Sequence, residues 1–185
     1  RQIWEANVMN SLEQLQTSKL SGLLLHRASD LFGPEGGALL AWLEGLRERG
    51  LVERIGVSIY ETSELDGLPL DRLQLVQLPL SVYDQRPIRD GTISRLQELG
   101  IAVHVRSVLL QGLLLQTPQH WPEHLSPAFR EHHAQWHKHL HQNGISLLAG
   151  ALSFVRGCEG VEAVLCGVLS QNELVEILES WSHSK

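Results

Sequence analysis

The sequence has 185 residues, of which 43% are hydrophobic and 19% are charged, so the chain is long enough for one globular core. Its net charge of -6 gives no electrostatic support for binding nucleic acid or a membrane surface. No stretch approaches the roughly 20 apolar residues that a membrane-spanning helix needs. The two cysteines form no disulfide framework and no Cys-x-x-Cys site, which favours a reducing, cytoplasmic environment.

The first part of the sequence alternates between helical and strand periods. Residues 3–15 place apolar side chains on one helical face. The chain begins at Arg1 inside this pattern, so we expect it to be a piece of a longer protein. The apolar run Gly22–His26 predicts a strand that is buried on both faces. A helix is predicted across Ala38–Glu48, and Arg54–Ser58 predicts a second strand.

The alternation continues to residue 105. Leu73–Leu78 predicts a third strand, and Asp90 is predicted to cap a helix that ends at Gly100. Ile101–Val105 then predicts a fourth strand. A segment rich in proline and histidine, residues 116–142, interrupts the alternation, and we expect it to be a loop insertion.

The same alternation resumes after this segment. Ser146–Val155 predicts a helix, Val161–Cys166 predicts a fifth strand, and Gln171–Trp181 predicts a closing helix. No shift in composition marks a domain boundary, so residues 1–185 are predicted to form a single domain.

Strands that alternate with helices predict a parallel sheet, either open and doubly wound or closed into a barrel. Phosphate loops of the G-x-G-x-x-G or G-x-x-x-x-G-K-[ST] type would favour the open sheet, and the sequence contains neither. Polar residues instead accompany the strand ends, where a parallel barrel places its active site. They are His26, Ser58, Gln77, Arg106, Ser107 and the turn Gly167–Ser170. A closed barrel needs eight strands, so we expect about three strand–helix units to be missing at the front.

Five segments carry a resemblance to a known family. They are SGLLLHRASDL (21–31), RGLVERIGVS (49–58), VQLPLSVYDQR (76–86), LGIAVHVRSVLLQGLL (99–114) and VEAVLCGVLSQNELVE (161–176). In this order they resemble the fourth to eighth strands of the aldo-keto reductases, which are (β/α)8 barrels that reduce carbonyls with NAD(P)H. The resemblance implies an α/β chain of the TIM-barrel type that contains only about the last five strand–helix units.

The resemblance also implies the residues of the site. His26 would orient the substrate carbonyl and stabilise the charge that develops on its oxygen. The implied cofactor-binding residues, from the nicotinamide to the adenosine phosphate, are Ser58, Gln77, Arg106, Ser107, Leu109, Gln111, Gly167 and Ser170. No metal site is expected.

The chain departs from the family pattern at several positions. Ile59 stands where many members carry Asn, and Arg106 stands where an aromatic ring often stacks on the nicotinamide, although an arginine can also lie flat on that ring. The expected cofactor is NADPH. Leu169 and Glu173 stand where many NADPH-preferring members have basic residues, so the choice between NADPH and NADH stays open. The family's catalytic Asp, Tyr and Lys precede its fourth strand, and residues 1–20 contain no match to them.

The sequence supports two functional hypotheses. The first is an enzyme that reduces a small-molecule aldehyde or ketone with NAD(P)H. Segments such as PLSVYDQR are similar to those of bacterial members found with sugar pathways, so a sugar-related carbonyl is one candidate substrate. If this hypothesis holds, the 185-residue chain alone should be inactive and should aggregate, because its first strand would present an open edge. The alternative is a truncated, non-catalytic binding or interaction module.

Two features of the sequence have structural interpretations. Ser170 and Glu173 have the spacing of a helix capping box, which explains them at least as well as a phosphate site does. If residues 129–142 are helical, three histidines would share one face, but no obvious fourth metal ligand accompanies them. We therefore expect a solvated helix here. The three histidines are His133, His137 and His141.

Overall fold

Five strands form one parallel sheet, in which they lie side by side in their order along the chain. The computed structural model describes residues 2–122 and 124–183. The strands are β1 (Leu20–Leu25), β2 (Val52–Ser58), β3 (Leu75–Pro79), β4 (Ala102–Arg106) and β5 (Val161–Val164). A doubly wound sheet reverses its strand order part-way, whereas the wall of a (β/α) barrel keeps it. The strand order is therefore that of a barrel wall.

Helices separate the strands, which confirms the predicted α/β alternation. The α-helices are α1 (Gln2–Gln14), α2 (Gly36–Glu48), α3 (Arg86–Arg89), α4 (Thr92–Glu98), α5 (Pro127–Gln142), α6 (Leu147–Arg156) and α7 (Gln171–His183). Short 3-10 turns cover Ala28–Leu31, Thr62–Leu65, Leu70–Arg72, Leu110–Leu115 and Pro118–His120. The segment 116–142, which the sequence predicts as a loop insertion, thus contains the whole of α5. None of the helices that the structure describes is long and apolar enough to cross a membrane.

The chain forms two compact units, each built from two stretches of sequence. The first unit contains Arg1–Leu78 and Asp90–His104, and the second contains Pro79–Arg89 and Val105–Lys185. Each unit buries its own set of aliphatic side chains, which is the main source of stability in a folded domain. Buried examples are Leu43, Leu46, Ile55, Leu75 and Leu96 in the first unit, and Leu80, Leu114 and Leu152 in the second.

The register of the first unit brings the carboxyl ends of β1 and β2 to one level, opposite Gln77 inside β3. β1 and β2 are parallel with Leu25 opposite Val57, and β2 and β3 are parallel with Ser58 opposite Gln77. The residue that follows Leu25 therefore reaches the level of Ser58. Because the strands are parallel, their carboxyl ends share one edge of the sheet, where a barrel carries its active site.

Glycines end two helices of the first unit. Gly50 and Gly100 have φ angles of 72° and 70°, a left-handed conformation that glycine adopts without steric cost. The start of α4 differs from the prediction by one residue, because Gly91 and not Asp90 occupies the N-cap position. Asp90 still contributes, since its Oδ1 accepts a hydrogen bond of 3.0 Å from the amide of Thr92.

Backbone hydrogen bonds extend the sheet in the second unit. The amide of Leu165, just after β5, donates to the carbonyl of Val105 at 2.8 Å. The amide of Leu80, just after β3, donates to the carbonyl of Arg106 at 3.1 Å. The C-terminal end of β4 is thereby bonded on both sides, which fixes the point at which the next turn begins.

Candidate active site

His26 directly follows β1, and its side chain is exposed. The imidazole makes no hydrogen bond, ion pair or ring contact with any other residue that the structure describes. A histidine with a structural role normally has its ring nitrogens bonded by neighbouring groups. The His26 side chain has no such partner among the described residues, so it is available to a ligand at the level of Ser58.

Ser58 and Gln77 lie opposite each other on β2 and β3, and their side chains are joined by one hydrogen bond. Ser58 Oγ donates to Gln77 Oε1 at 3.4 Å, and Ser58 is only 6% exposed. The side-chain nitrogen of Gln77 donates to no other residue in the described ranges, so its two hydrogens can bind a ligand oxygen. Gln77 is the third of five residues in β3 and so lies inside the strand, not after it.

A strained turn, residues 107–112, follows β4 in the second unit. We call it the left-handed turn. Ser107, Leu110 and Gln111 have φ angles of 60°, 47° and 55°, although none of them is glycine. Each such conformation costs about 1–3 kcal/mol, and clusters of them are typical of ligand-binding segments. The predicted cofactor residues Ser107, Leu109 and Gln111 therefore share one distorted piece of backbone.

The left-handed turn also presents backbone amides that lack partners. The amides of Val108 and Leu109 donate no hydrogen bond to any described residue. Leu109 has a φ of -105° and is followed by the left-handed Leu110, and such alternation makes neighbouring amides converge on a concavity that suits an anion. Arg106 donates from Nη1 to Ser107 Oγ at 3.2 Å and adds a positive charge beside the turn.

The turn that contains Gly167 and Ser170 leads into α7. Ser170 Oγ accepts a hydrogen bond of 3.2 Å from the amide of Glu173, so Ser170 caps the helix as its spacing predicts. The carboxylate of Glu173 accepts a bond of 2.7 Å from the amide of Leu169, one residue before the position that an ideal capping box would use. A carboxylate therefore occupies the helix N-terminus, where an anionic ligand would otherwise find free amides.

The histidine-rich helix α5 has one fully buried histidine, so the expected solvated helix is wrong at this position. His133 has no exposed surface, and it bonds to the Tyr83 hydroxyl and the Gln116 carbonyl. Burial lowers the pKa of His133 and raises the pKa of Tyr83 to about 12, so both groups are neutral at pH 7. The sequence does not predict the pairing of Tyr83 with His133. The feature that points to a buried position is the group of aromatic residues near His133 in the sequence, which are Trp121, Phe129 and Trp136.

The other two histidines of the predicted face, His137 and His141, are partly or fully exposed to solvent. The rings of His137 and His141 are nearly parallel, with centroids 6.4 Å apart. In the described part of the chain, no group of three or more His, Cys, Asp or Glu side chains is arranged to hold a metal ion. Burial raises the pKa of both cysteine thiols, Cys158 and Cys166, which keeps them protonated and unreactive at neutral pH.

Comparison with known families matches the chain over its whole length. The model described as the aldo/keto reductase family matches residues 1–185. The chain belongs to the aldo/keto reductase family. This confirms the family that the five sequence segments indicate, and with it a chain of the TIM-barrel type. An oxidoreductase of Bacillus subtilis (strain 168), named as uncharacterized oxidoreductase YcsN, is 33% identical over 110 residues, which are 58% of this chain and 36% of YcsN.

Solved structures of aldo-keto reductases share the fold of this aldo/keto reductase chain. The apo form of AKR11C1 from Bacillus halodurans matches with a TM-score of 0.75 at 22% identity, over 96% of this chain and 61% of that chain. The thermostable aldo-keto reductase Tm1743, in complex with the inhibitor epalrestat, matches with a TM-score of 0.72 at 20% identity, over 98% and 61%. At these identities the likeness shows the fold alone. The chain spans less than two thirds of the length of each of these relatives.

Proposed function

We propose that the protein to which this chain belongs reduces an aldehyde or a ketone with a nicotinamide cofactor. The observation that carries the proposal is the alignment of His26 with Ser58 and Gln77 at one level of parallel strands in an aldo/keto reductase. Barrel enzymes perform their chemistry at this edge of the strands. The chemistry supplied by bound NAD(P)H is a hydride for the carbonyl carbon.

His26 would donate a hydrogen bond to the carbonyl oxygen of the substrate. Its exposed imidazole suits this role, because a donor stabilises the transition state when it lies where negative charge develops on the oxygen. The proton that completes the alcohol would come from the tyrosine of the family's Asp, Tyr and Lys set, to which residues 1–20 contain no match. Tyr83 does not suit that role, since its hydroxyl bonds to His133 and burial raises its pKa to about 12.

In the first unit, Ser58 and Gln77 would hold the carboxamide of the nicotinamide. A primary amide presents one oxygen acceptor and two hydrogen donors, and the pair offers the complementary groups. The side-chain nitrogen of Gln77 can donate to the amide oxygen, while Ser58 Oγ can accept from the amide nitrogen. A carboxamide held in this way would fix which face of the ring meets the substrate.

In the second unit, the left-handed turn would bind the phosphates of the cofactor. The free amides of Val108 and Leu109 and the positive charge of Arg106 support this, because phosphate oxygens accept hydrogen bonds and carry negative charge. Gly167 and Ser170, before α7, would meet the adenosine phosphate.

The nucleotide preference gives a first prediction, which concerns Glu173. Replacing Glu173 with Gln is expected to raise the affinity for NADPH relative to NADH by about three- to tenfold. The carboxylate bonded to the Leu169 amide would repel the additional phosphate of NADPH and compete with it for that amide. Dissociation constants for both nucleotides, measured by fluorescence at one ionic strength, give the ratio.

The matched control for this prediction is Glu176→Gln. Glu176 is exposed on the same helix, one turn further from its N-terminus, so its charge should affect both nucleotides weakly and equally. If Glu173→Gln changed the two dissociation constants by the same factor, Glu173 would not face the additional phosphate.

Nucleotide titration of the full-length protein tests the proposed function. We expect saturable binding of NADPH, NADH or both, with a dissociation constant below about 1 mM, the upper end of usual enzyme affinities. Energy transfer from the tryptophans to the reduced nicotinamide would report the binding. No saturable binding of either nucleotide would contradict the proposal and would favour a non-catalytic module. A sugar-related carbonyl is one candidate substrate, so sugar aldehydes belong in the subsequent activity tests.

A further inference from the structure

A short path of hydrogen bonds joins the loop after β3 to the segment that follows the left-handed turn. Tyr83 Oη donates to His133 Nδ1 at 2.9 Å, and His133 Nε2 donates to the Gln116 carbonyl at 2.8 Å. A carbonyl oxygen can only accept, so Nε2 must carry the proton, and the neutral ring then accepts at Nδ1. The donor and acceptor of each bond are thereby fixed, and both ring nitrogens are satisfied.

Trp121 makes a second connection to the same segment. Its Nε1 donates to the Leu113 carbonyl at 3.0 Å, and its ring stacks on His133 with centroids 3.8 Å apart and planes 17° from parallel. Trp121 is 4% exposed and His133 is fully buried, so the two rings that donate to these carbonyls are shielded from water, and leaving their N–H groups unpaired is costly. The carbonyls of Leu113 and Gln116 are therefore both held by one buried cluster.

The left-handed turn needs support from outside itself. Its strained residues would relax if their surroundings did not hold them. Gly112, with a φ of 85°, is the last left-handed residue, and the first held carbonyl is that of Leu113, which follows it directly. Pro118 and Pro122 lie between the held carbonyls and α5, and Pro127 begins α5. These prolines stiffen the connection, because proline fixes the backbone φ angle.

We infer that His133 is a positioning residue that keeps the left-handed turn in the conformation that binds the phosphates of the nucleotide. The inference rests on the proposed function, because it assigns the turn to the cofactor. His133 acts through the Gln116 carbonyl, and through Trp121 on the Leu113 carbonyl. It touches neither substrate nor cofactor, so its loss should affect nucleotide affinity and spare the chemical step.

Hydrogen exchange and nucleotide affinity, measured on the same variants of the full-length protein, test this inference. In the nucleotide-free protein, His133→Ala is expected to accelerate amide exchange in peptides that cover residues 107–116. It should also raise the dissociation constant for NADH or NADPH, whichever binds better, about tenfold, because the binding-competent turn becomes a minor population. The value of kcat at saturating nucleotide should change less than about twofold.

Two milder variants keep the test decisive if His133→Ala does not fold. Tyr83→Phe removes only the hydroxyl that bonds to His133 and should show a smaller change in the same direction. His133→Gln retains a donor that can reach the Gln116 carbonyl and should recover most of the affinity. The matched control is His139→Gln, at an exposed position of α5, which should behave as the wild-type protein does.

Three outcomes would overturn the inference. Unchanged exchange across 107–116 in His133→Ala, or in Tyr83→Phe if the former is unfolded, would show that the cluster does not hold the turn. Faster exchange with an unchanged dissociation constant would show that the turn is held for another purpose. Absence of nucleotide binding in the wild-type protein would contradict the proposed function and the inference with it, and this failure is recognised before any variant is compared.

Discussion

Replacing His26 with alanine in the full-length protein is expected to lower kcat/KM for carbonyl reduction by about 10²–10³, the usual loss for one donor to a developing oxyanion. The imidazole bonds to no other described residue, so its removal leaves no neighbouring polar group without a partner. The loss should therefore reflect the reaction and not the stability of the fold. Steady-state kinetics with a reduced nicotinamide and an aldehyde would measure it.

The nucleotide dissociation constant of His26→Ala distinguishes a catalytic role of His26 from a role in cofactor binding. The dissociation constant for NADPH or NADH should hardly change in His26→Ala, because His26 acts on the substrate oxygen. His139→Ala, at an exposed position of α5, is the matched control and should retain full activity. A large rise in the nucleotide dissociation constant with unchanged turnover would remove His26 from the catalytic role.

Replacing Gly56 with alanine is expected to destabilise the protein by about 3 kcal/mol or more, which corresponds to a fall in Tm of roughly 6–12 °C. A Cβ atom at Gly56 would lie 1.7 Å from the carbonyl oxygen of Leu75 on the neighbouring strand. That oxygen belongs to backbone in the paired register of β2 and β3, so the clash cannot be relieved by turning a side chain. Thermal unfolding would measure the change.

Gly45→Ala is the matched control for this substitution. Gly45 lies inside α2, and a Cβ atom there would meet nothing within 4 Å. Alanine is the better helix former, so this variant should gain up to about 1 kcal/mol. Equal stability of Gly56→Ala and Gly45→Ala would contradict the register between β2 and β3.

The strands could be read from the sequence because short apolar runs between helical periods have few structural solutions, whereas their barrel order is implied by the family resemblance. Each predicted strand overlaps the observed one, as β2 shows, where Arg54–Ser58 is predicted and Val52–Ser58 is found. A strand buried on both faces is apolar throughout, and Gly50 and Gly100 mark the helix ends with left-handed backbone. The register of these strands could not be predicted, because a strand that is apolar on both faces carries no alternating pattern to fix its pairing.

The left-handed turn could not be derived from residue types. Ser107, Leu110 and Gln111 carry side chains that normally avoid positive φ, so their conformation depends on contacts elsewhere in the structure. The burial of His133 could not be predicted either, because it also depends on a contact that is distant in sequence. A histidine in a polar segment is usually solvated, and only the approach of Tyr83, fifty residues away in sequence, makes this one part of a core.

The closing helix α7 shows that a sequence pattern predicts a helix but not the burial of its apolar face. Its period correctly predicts α7, yet its apolar side chains are substantially exposed in the structure. Periodicity reports which residues share a face, whereas burial depends on what lies against that face. The exposed apolar residues on α7 are Leu174, Val175 and Leu178.

The most direct test of the proposed function follows one hydrogen atom from cofactor to product. The full-length protein would be incubated with a reduced nicotinamide nucleotide that carries deuterium in both C4 positions and with a panel of aldehydes that includes sugar aldehydes. Mass spectrometry of the alcohol is expected to find one deuterium on the former carbonyl carbon, formed in equal amount to the oxidised nucleotide. Oxidation of the nucleotide without a labelled alcohol, or no oxidation with any carbonyl although the nucleotide binds, would contradict carbonyl reduction by this protein.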